Sequence, residues 1–363
     1  GLPGAAPPAT ETAEQKDFAR SLEALGRNFE HVRFSHAFPA PHCEPTVRPV
    51  RPPLSLVKAA GKLRDVATCH GAGLICGEAP EFAVDWKDRS DLDKEFGWPE
   101  VRRELRVHTA IDPARRAAAE GKLFAYEMIV PQGRSWLARV DLSRVARGER
   151  ALVESQLRAL LDLKLRSLGK TKIVAAARLE PAGTVGDAVG RMALDGVHVV
   201  TLQTPALLCD PELLNEASDD AVLFQDYAST WQDLSDGALE LVRFFGSQSL
   251  AGGYYLHRRF RGNEAYVPWL LTDPGSVFVL KIAASRAQDA NTAIDGWAKQ
   301  GLKLPKWAKT RYTRDGRSGD HWSNCPFIPE NGYGEVAVDL DVHEKMKPGP
   351  DEFEAIPLLG RKS

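Results

Sequence analysis

The sequence predicts an α+β protein made of two β-α-β-β-α-β units, each a four-stranded antiparallel sheet backed by two helices, with a long insertion in the first. Three observations carry that expectation. Short segments that alternate apolar and polar residues mark half-buried strands in both halves. A helix with one apolar face, followed by a glycine, stands before the closing strand of each half. The 363 residues, 43% of them hydrophobic, are enough for two ordinary domains with real cores.

In chain order, Thr12-Ala13-Glu14-Gln15 fits a capping box, and Phe18, Leu22, Leu25 and Phe29 then share one face of a helix over about residues 13–27. Val32 to Phe38 alternates as a strand, after which Pro39, Pro41, Pro45, Pro49, Pro52 and Pro53 rule out regular structure. An insertion of about 39–105 follows. Arg106 to Ile111 reads as a strand, and Leu123 to Val130 with Trp136 to Leu142 as a hairpin around Pro131-Gln132-Gly133-Arg134. A helix with Val153, Leu157, Leu160, Leu161 and Leu165 inward stops at Gly169, and Ile173 to Leu179 closes the first sheet. The opening strand of this unit is expected to lie before Gly1. In the second half, Val197 to Leu208 is a strand, a helical or irregular stretch runs to Ser235, and strands follow at Leu239 to Phe245 and Val277 to Ala283. Ala290, Ala293, Ile294 and Trp297 line the last helix, Gly301 stops it, and Glu335 to Val342 is the final strand. The expected domains are therefore 1–181 and 182–343, with a flexible Pro/Lys/Glu-rich tail at 344–363.

The formal net charge is −2, so any surface for a polyanion must be local. Nothing resembles a membrane span or a secretory signal, and a cytoplasmic location is expected. Five cysteines at irregular spacing argue against a disulfide framework. Cys43, Cys69 and Cys76, near His42 and His70, are zinc candidates, although the six residues between Cys69 and Cys76 exceed the usual knuckle spacing. Ordinary thiols are the alternative.

The most informative segment is Asn331-Gly332-Tyr333-Gly334, which opens into an alternating strand. Glycine reaches positive φ without a Cβ clash, so the amides of such a loop can approach a phosphate. Upstream, Lys299, Lys303, Lys306, Lys309, Arg311, Arg314 and Arg317 are opposed only by Asp315, with Trp307, Tyr312 and Trp322 interspersed. His257-Arg258-Arg259-Phe260-Arg261 follows Tyr254 and Tyr255, again mixing guanidinium groups with rings. Phosphates need fixed charge and splayed bases need flat surfaces, and both segments offer them. The bland reading is a solvated charged loop with core aromatics.

Four stretches in this order resemble the RAMP superfamily of CRISPR effector subunits, in particular the type III subunit, most like the type III-D version, that caps the 5′ handle of the guide RNA. They are Val32 to Phe38 with Arg51-Pro52-Pro53-Leu54-Ser55-Leu56; Arg106-Val107-His108-Thr109-Ala110-Ile111-Asp112 with Glu120-Gly121-Lys122-Leu123-Phe124; Gly252-Gly253-Tyr254-Tyr255 with Pro274 to Leu280; and Asn331 to Gly334. The resemblance implies two ferredoxin-like, RRM-like domains and a crRNA-bound role. It also implies three partners: a large polymerase-like subunit, a neighbouring backbone RAMP subunit and, indirectly, target RNA. Residues expected at RNA are Arg106, His108, Arg115, Arg116, His257, Arg258, Arg259, Arg261, Lys303, Lys306, Lys309, Arg311, Gly332, Tyr333 and Gly334. The first domain's own glycine loop is degenerate at Leu168-Gly169-Lys170-Thr171-Lys172.

Two other functions stay open on sequence alone. His108 is read as a contact or sheet histidine, or as a general base for attack by an RNA 2′-OH, and Asp112 as a turn start before Pro113, or as a cleavage-loop carboxylate. That second reading makes the chain a metal-independent RAMP ribonuclease. A protein-only scaffold is the third. No paired acid accompanies His108, so the expectation is a binding protein rather than an enzyme, without cofactor.

Overall fold

The structure is a computed structural model describing residues 21–40, 47–59, 62–69, 94–99, 101–112, 115, 117–131, 133–168, 173–181, 186–187, 189–192, 194, 196–214, 220–261, 266–313 and 324–354. The chain is α+β and packs as two compact units, one of Gly1–Phe34 with Arg139–Thr184, the other of Ser35–Ala138 with Val185–Ser363.

The larger unit is organised on four antiparallel strands, Val197–Leu202, Leu239–Phe245, Val277–Ile282 and Val336–Val338, standing in the order second, third, first, fourth. Helix Asp220–Leu234 follows the first strand and helix Ala287–Gln300 follows the third, which completes the succession expected for the second half. The second helix stops at Gly301 with φ 70°, as its sequence position suggested.

Alternation decides which side chains meet. Val200, Leu202, Phe278 and Leu280 face the two helices and pack with Tyr227, Trp231 and Trp297. Val199, Val277, Val279 and Phe245 point to the opposite face, where Val57, Val66, Ala67 and Cys69 cover them. That double burial accounts for the unbroken apolar run Val277-Phe278-Val279-Leu280, since a strand covered on both faces needs no polar side. The covering element is the hairpin of Leu56–Ala59 with Lys62–Asp65, within the segment read as an insertion.

The tail expected to be flexible from Glu344 is ordered as far as Glu354. Helix Pro350–Glu354 places Phe353 against the second core cluster and Glu352 2.8 Å from Arg64. Upstream, the fully buried His343 lies 3.2 Å from Asp65, which also accepts a hydrogen bond from Ser55. Composition signalled mobility, but one aromatic, Phe353, and one ion pair, Glu352 with Arg64, dock this short segment.

Strands Arg103–Asp112 and Ala117–Ile129 form a long hairpin that, among the described residues, pairs with no other strand. This corrects the expected pairing of Leu123 to Val130 with Trp136 to Leu142. Instead Trp136–Leu137 pairs with Phe38–Pro39, and the Val130 amide closes the base of the long hairpin on the Arg102 carbonyl. Pro131 lacks a donor and ends the ladder there.

In the smaller unit, helices Glu23–Asn28 and Arg150–Asp162 bury Ala24, Leu25, Val153 and Leu157 together with Val32 and Val145. Residues 13–20 of the expected first helix lie outside the described residues. The second helix ends at Asp162, with Lys164 taking the left-handed conformation at φ 64°, before the position expected. Gly169 is outside the described residues. Strands here form two short pairs, Arg33–Phe34 with Val140–Asp141 and Leu165–Leu168 with Ile173–Ala175, rather than one four-stranded sheet among the described residues.

Candidate nucleic-acid interface

The glycine loop does not present its amides to solvent. Gly332 and Gly334 take φ 82° and 72°. Yet the amide of Gly332 donates to the Pro329 carbonyl at 2.9 Å, that of Tyr333 to Ile328 at 3.3 Å and that of Gly334 to Pro205 at 3.0 Å. The expectation of amides aimed at a phosphate is therefore corrected: these donors are already satisfied. What the loop approaches is protein. A Cβ on Gly332 would stand 3.0 Å from the His36 backbone nitrogen, and one on Gly334 3.4 Å from Leu302. Tyr333 packs its ring edge-on to Phe327 at 5.1 Å, and burial pushes its hydroxyl pKa up.

The chain that fits against this loop is the proline-rich segment of the first motif. The His36 amide donates to the Glu335 carboxylate, and Arg48 pairs with the same carboxylate at 2.9 Å. Further along, the Arg51 amide donates to Gln203 Oε1 at 2.7 Å and the Leu54 amide to the Gly275 carbonyl at 2.8 Å. Gly275 has φ 92° and no room for a side chain, since a Cβ would lie 2.9 Å from the Pro52 carbonyl oxygen. Pro52 and Pro53 restrict the chain here, and Gly275 leaves room for the Pro52 carbonyl.

The expected cationic residues fall into distinct settings. Arg106 and His108 sit exposed on one strand of the long hairpin, two positions apart and so on one face; Arg106 also lies 3.6 Å from Glu104. Arg115 is exposed at the hairpin's turn, while Arg116 and the side chain of Asp112 are outside the described residues. His257 is corrected from a surface contact: it is 2% exposed, with its ring 5.3 Å from that of Tyr266. Helix Tyr254–Arg261 turns this histidine into the core while Arg258 and Arg259 stay exposed; the Arg261 side chain is not described. Lys303 is exposed, Lys309 is half-buried, and Lys306 pairs with Asp233 at 2.8 Å. Arg311 is likewise engaged within the fold, 2.6 Å from Asp210 and 2.9 Å from Glu212, with its guanidinium 5.1 Å from the Trp307 ring. Arg314, Arg317 and Trp322 lie outside the described residues.

A cluster that sequence spacing did not reveal stands beside the glycine loop. Arg48 lies 4.8 Å above the Phe38 ring, Phe38 meets Trp98 edge-on at 5.6 Å, and Arg51 lies 4.9 Å from the Trp98 ring centre. The half-exposed Trp136 is paired in register with Pro39. Arg51 and Phe38 belong to the first family-like stretch, but nothing in their spacing joined them to Trp98. Trp98 follows a stretch with no periodicity.

Cys69, one zinc candidate, is buried, and burial pushes its thiol pKa up, away from the thiolate a metal requires. Cys43 and Cys76 lie outside the described residues. Among the described residues no group of three or more His, Cys, Asp or Glu is arranged to hold a metal, and no helix is long and apolar enough to cross a membrane.

No protein-family model matches the chain, and no curated protein matches it significantly. Among solved structures it is similar to the Csm3-Csm4 subcomplex of a type III-A CRISPR-Cas interference complex, at 10% identity over 72% of this chain and 82% of that one, with a TM-score of 0.32. A type III-B Cmr-beta complex bound to cognate target RNA and AMPPnP aligns at 9% identity over 79% and 84%, TM-score 0.31. The same kind of complex bound to cognate target RNA aligns at 10% over 75% and 73%, TM-score 0.29. TM-scores this low do not establish a shared fold.

Proposed function

We propose that the chain is a non-catalytic RNA-binding subunit of a type III CRISPR ribonucleoprotein, most like the type III-D version, that holds the 5′ handle of the guide RNA. The observation that carries this reading is the meeting of motifs far apart in sequence. His36 and Arg48 meet Glu335 beside the glycine loop, and Pro52 and Leu54 meet Gly275. Three of the four family-like stretches thus form one continuous structure, and the charge of Arg103, at the base of the hairpin bearing the remaining one, acts on Arg51. The order of strands and helices in the larger unit agrees with a ferredoxin-like domain. Exposed Arg106, Arg115, Arg258, Arg259 and Lys303 supply charge for a phosphate backbone, leaving target recognition to base pairing. A large polymerase-like subunit and a backbone RAMP subunit are the protein partners this role requires, in the cytoplasm.

The test is to purify the tagged full chain from its own cells and sequence the small RNA that comes with it. A shared repeat-derived 5′ end is expected. Absence of RNA, or RNA with heterogeneous 5′ ends, overturns the handle-binding role. If the preparation cleaves guide precursor or target RNA, and His108→Ala or Asp112→Ala abolishes cleavage with fold and binding intact, the ribonuclease reading replaces this one.

A further inference from the structure

Three half-buried arginines in the larger unit have carboxylate partners among the described residues, and Arg51 does not. Arg48 pairs with Glu335, Arg64 with Glu352 and Arg311 with Asp210 and Glu212. Arg51 has no carboxylate within ion-pair distance among the described residues. Burial, and then the charge of Arg103, lower its pKa, while the charge of Asp273 acts the other way. Asp273 is itself held by the hydroxyls of Ser247 and Ser249 at 3.0 and 2.5 Å.

A guanidinium withdrawn from water without a counter-ion is unfavourable to the isolated fold. Its surroundings are nonetheless built to fix it. The Arg51 amide is held by Gln203, Pro52 and Pro53 restrict the chain that follows, and one face of the guanidinium lies on Trp98. Trp98 is in turn fixed by Phe38 and by the cluster containing Val50, Leu56 and Phe96. Stacking on a ring occupies a guanidinium's face and leaves its edge, the fork that matches two oxygens of a phosphate.

We propose that Arg51, stacked on Trp98, binds a phosphodiester group of the RNA strand; this rests on the RNA-binding role above and names the residue that the glycine loop was expected to provide. The loop's part is indirect: Gly332 and Gly275 seat the segment from which Arg51 projects.

The experiment measures fluorescence anisotropy of a labelled short single-stranded RNA of mixed sequence against the full chain at several KCl concentrations. Parent, Arg51→Gln, Arg51→Lys and Trp98→Leu proteins are compared, with Tm of each protein recorded without RNA. Arg51→Gln should weaken binding roughly 10-fold and reduce the salt slope by about 0.7, the value for one phosphate contact on a single strand. Arg51→Lys keeps charge but not the fork, so it should restore the slope and only part of the affinity. The Tm of Arg51→Gln should equal or exceed the parent's, because an unpaired buried charge is removed. A lower Tm, or failure to fold, makes Arg51 a structural residue and overturns the assignment. Parent-like RNA affinity and slope in Arg51→Gln overturn it alone, whereas a parent that binds no RNA sinks the RNA-binding role as well. Inorganic phosphate is the second probe: if it raises the parent's Tm but not that of Arg51→Gln, while RNA binding is equal in both, the site takes free phosphate and the RNA assignment fails.

Discussion

Replacing Gly332 by alanine separates a packing loop from a phosphate-binding one. Its φ of 82° is left-handed, which costs a non-glycine residue about 1–2 kcal/mol. The added methyl would also stand 3.0 Å from the backbone nitrogen of His36, an atom that cannot rotate aside, and overpacking of this kind costs about 1–3 kcal/mol. A loss of about 2–5 kcal/mol is therefore expected. The control is Gly296→Ala in helix Ala287–Gln300, where an added Cβ meets nothing within 4 Å, and where alanine should stabilise by about 0.5–1 kcal/mol. Urea unfolding of the full chain followed by tryptophan fluorescence reads both variants. RNA affinity per folded molecule should fall less than stability, since the amides of Gly332 and Gly334 already donate to carbonyls. If Gly332→Ala unfolds at the parent's urea concentration but no longer binds RNA, the packing account is wrong and the loop contacts RNA directly.

Four other outcomes follow from the charged groups. The hydrogen bond to Asp339 raises the pKa of His198 against the opposing effect of burial, with the Asp339 charge adding to it. Stability from this pair is fully present below about pH 6.5 and is lost as pH rises through the folded value, so the deficit of His198→Gln in Tm should shrink from acid to alkaline pH; a constant deficit refutes it. Asp226 is raised to about 6, first by burial, so the folded state holds the extra proton and stability falls as pH rises from about 4 to about 6. Asp226→Asn should match the parent near the acid end and exceed its Tm at neutral pH, and an advantage that does not grow with pH would falsify this. Finally, Arg311→Gln should cost about 1–3 kcal/mol of stability, measured by urea unfolding, with little change in RNA affinity. Lys303→Gln with Lys309→Gln should do the reverse, lowering the RNA salt slope by about 0.7 for each phosphate that is no longer neutralised.

Local rules reach furthest where a segment's fate is decided by its own periodicity. Leu239 to Phe245 reads as an apolar strand and is one over those residues, and the apolar face of Ala290, Ile294 and Trp297 ends at a glycine, as a helix should. They fail where the deciding partner is distant. Leu123 to Val130 is a good strand by composition, but composition cannot choose between Trp136 to Leu142 and Arg103 to Asp112 as its neighbour. The run Val277-Phe278-Val279-Leu280 is apolar without a break, as burial on both faces requires. Only the fold shows that Val57, Val66 and Ala67 provide the second cover. His257 sits among arginines in the sequence, yet a helix separates neighbours by direction, so one residue of a basic run can be core while the next is solvated.

The glycine loop illustrates the same limit with a functional consequence. Positive φ and the need for close approach are readable from Gly-x-Gly; the identity of what approaches is not. Here it is the chain's own backbone at His36, as at Gly275 it is the carbonyl of Pro52. Two requirements for glycine thus fall at His36 and at Pro52, on either side of residues tied down by Glu335 at Arg48 and by Gln203 at Arg51. A segment held from both sides in this way can keep a guanidinium in a place unfavourable to it, and a group kept there is already oriented when an anion arrives. If Arg51 holds a phosphate as proposed, residues that never touch RNA are as necessary to binding as Arg51 itself.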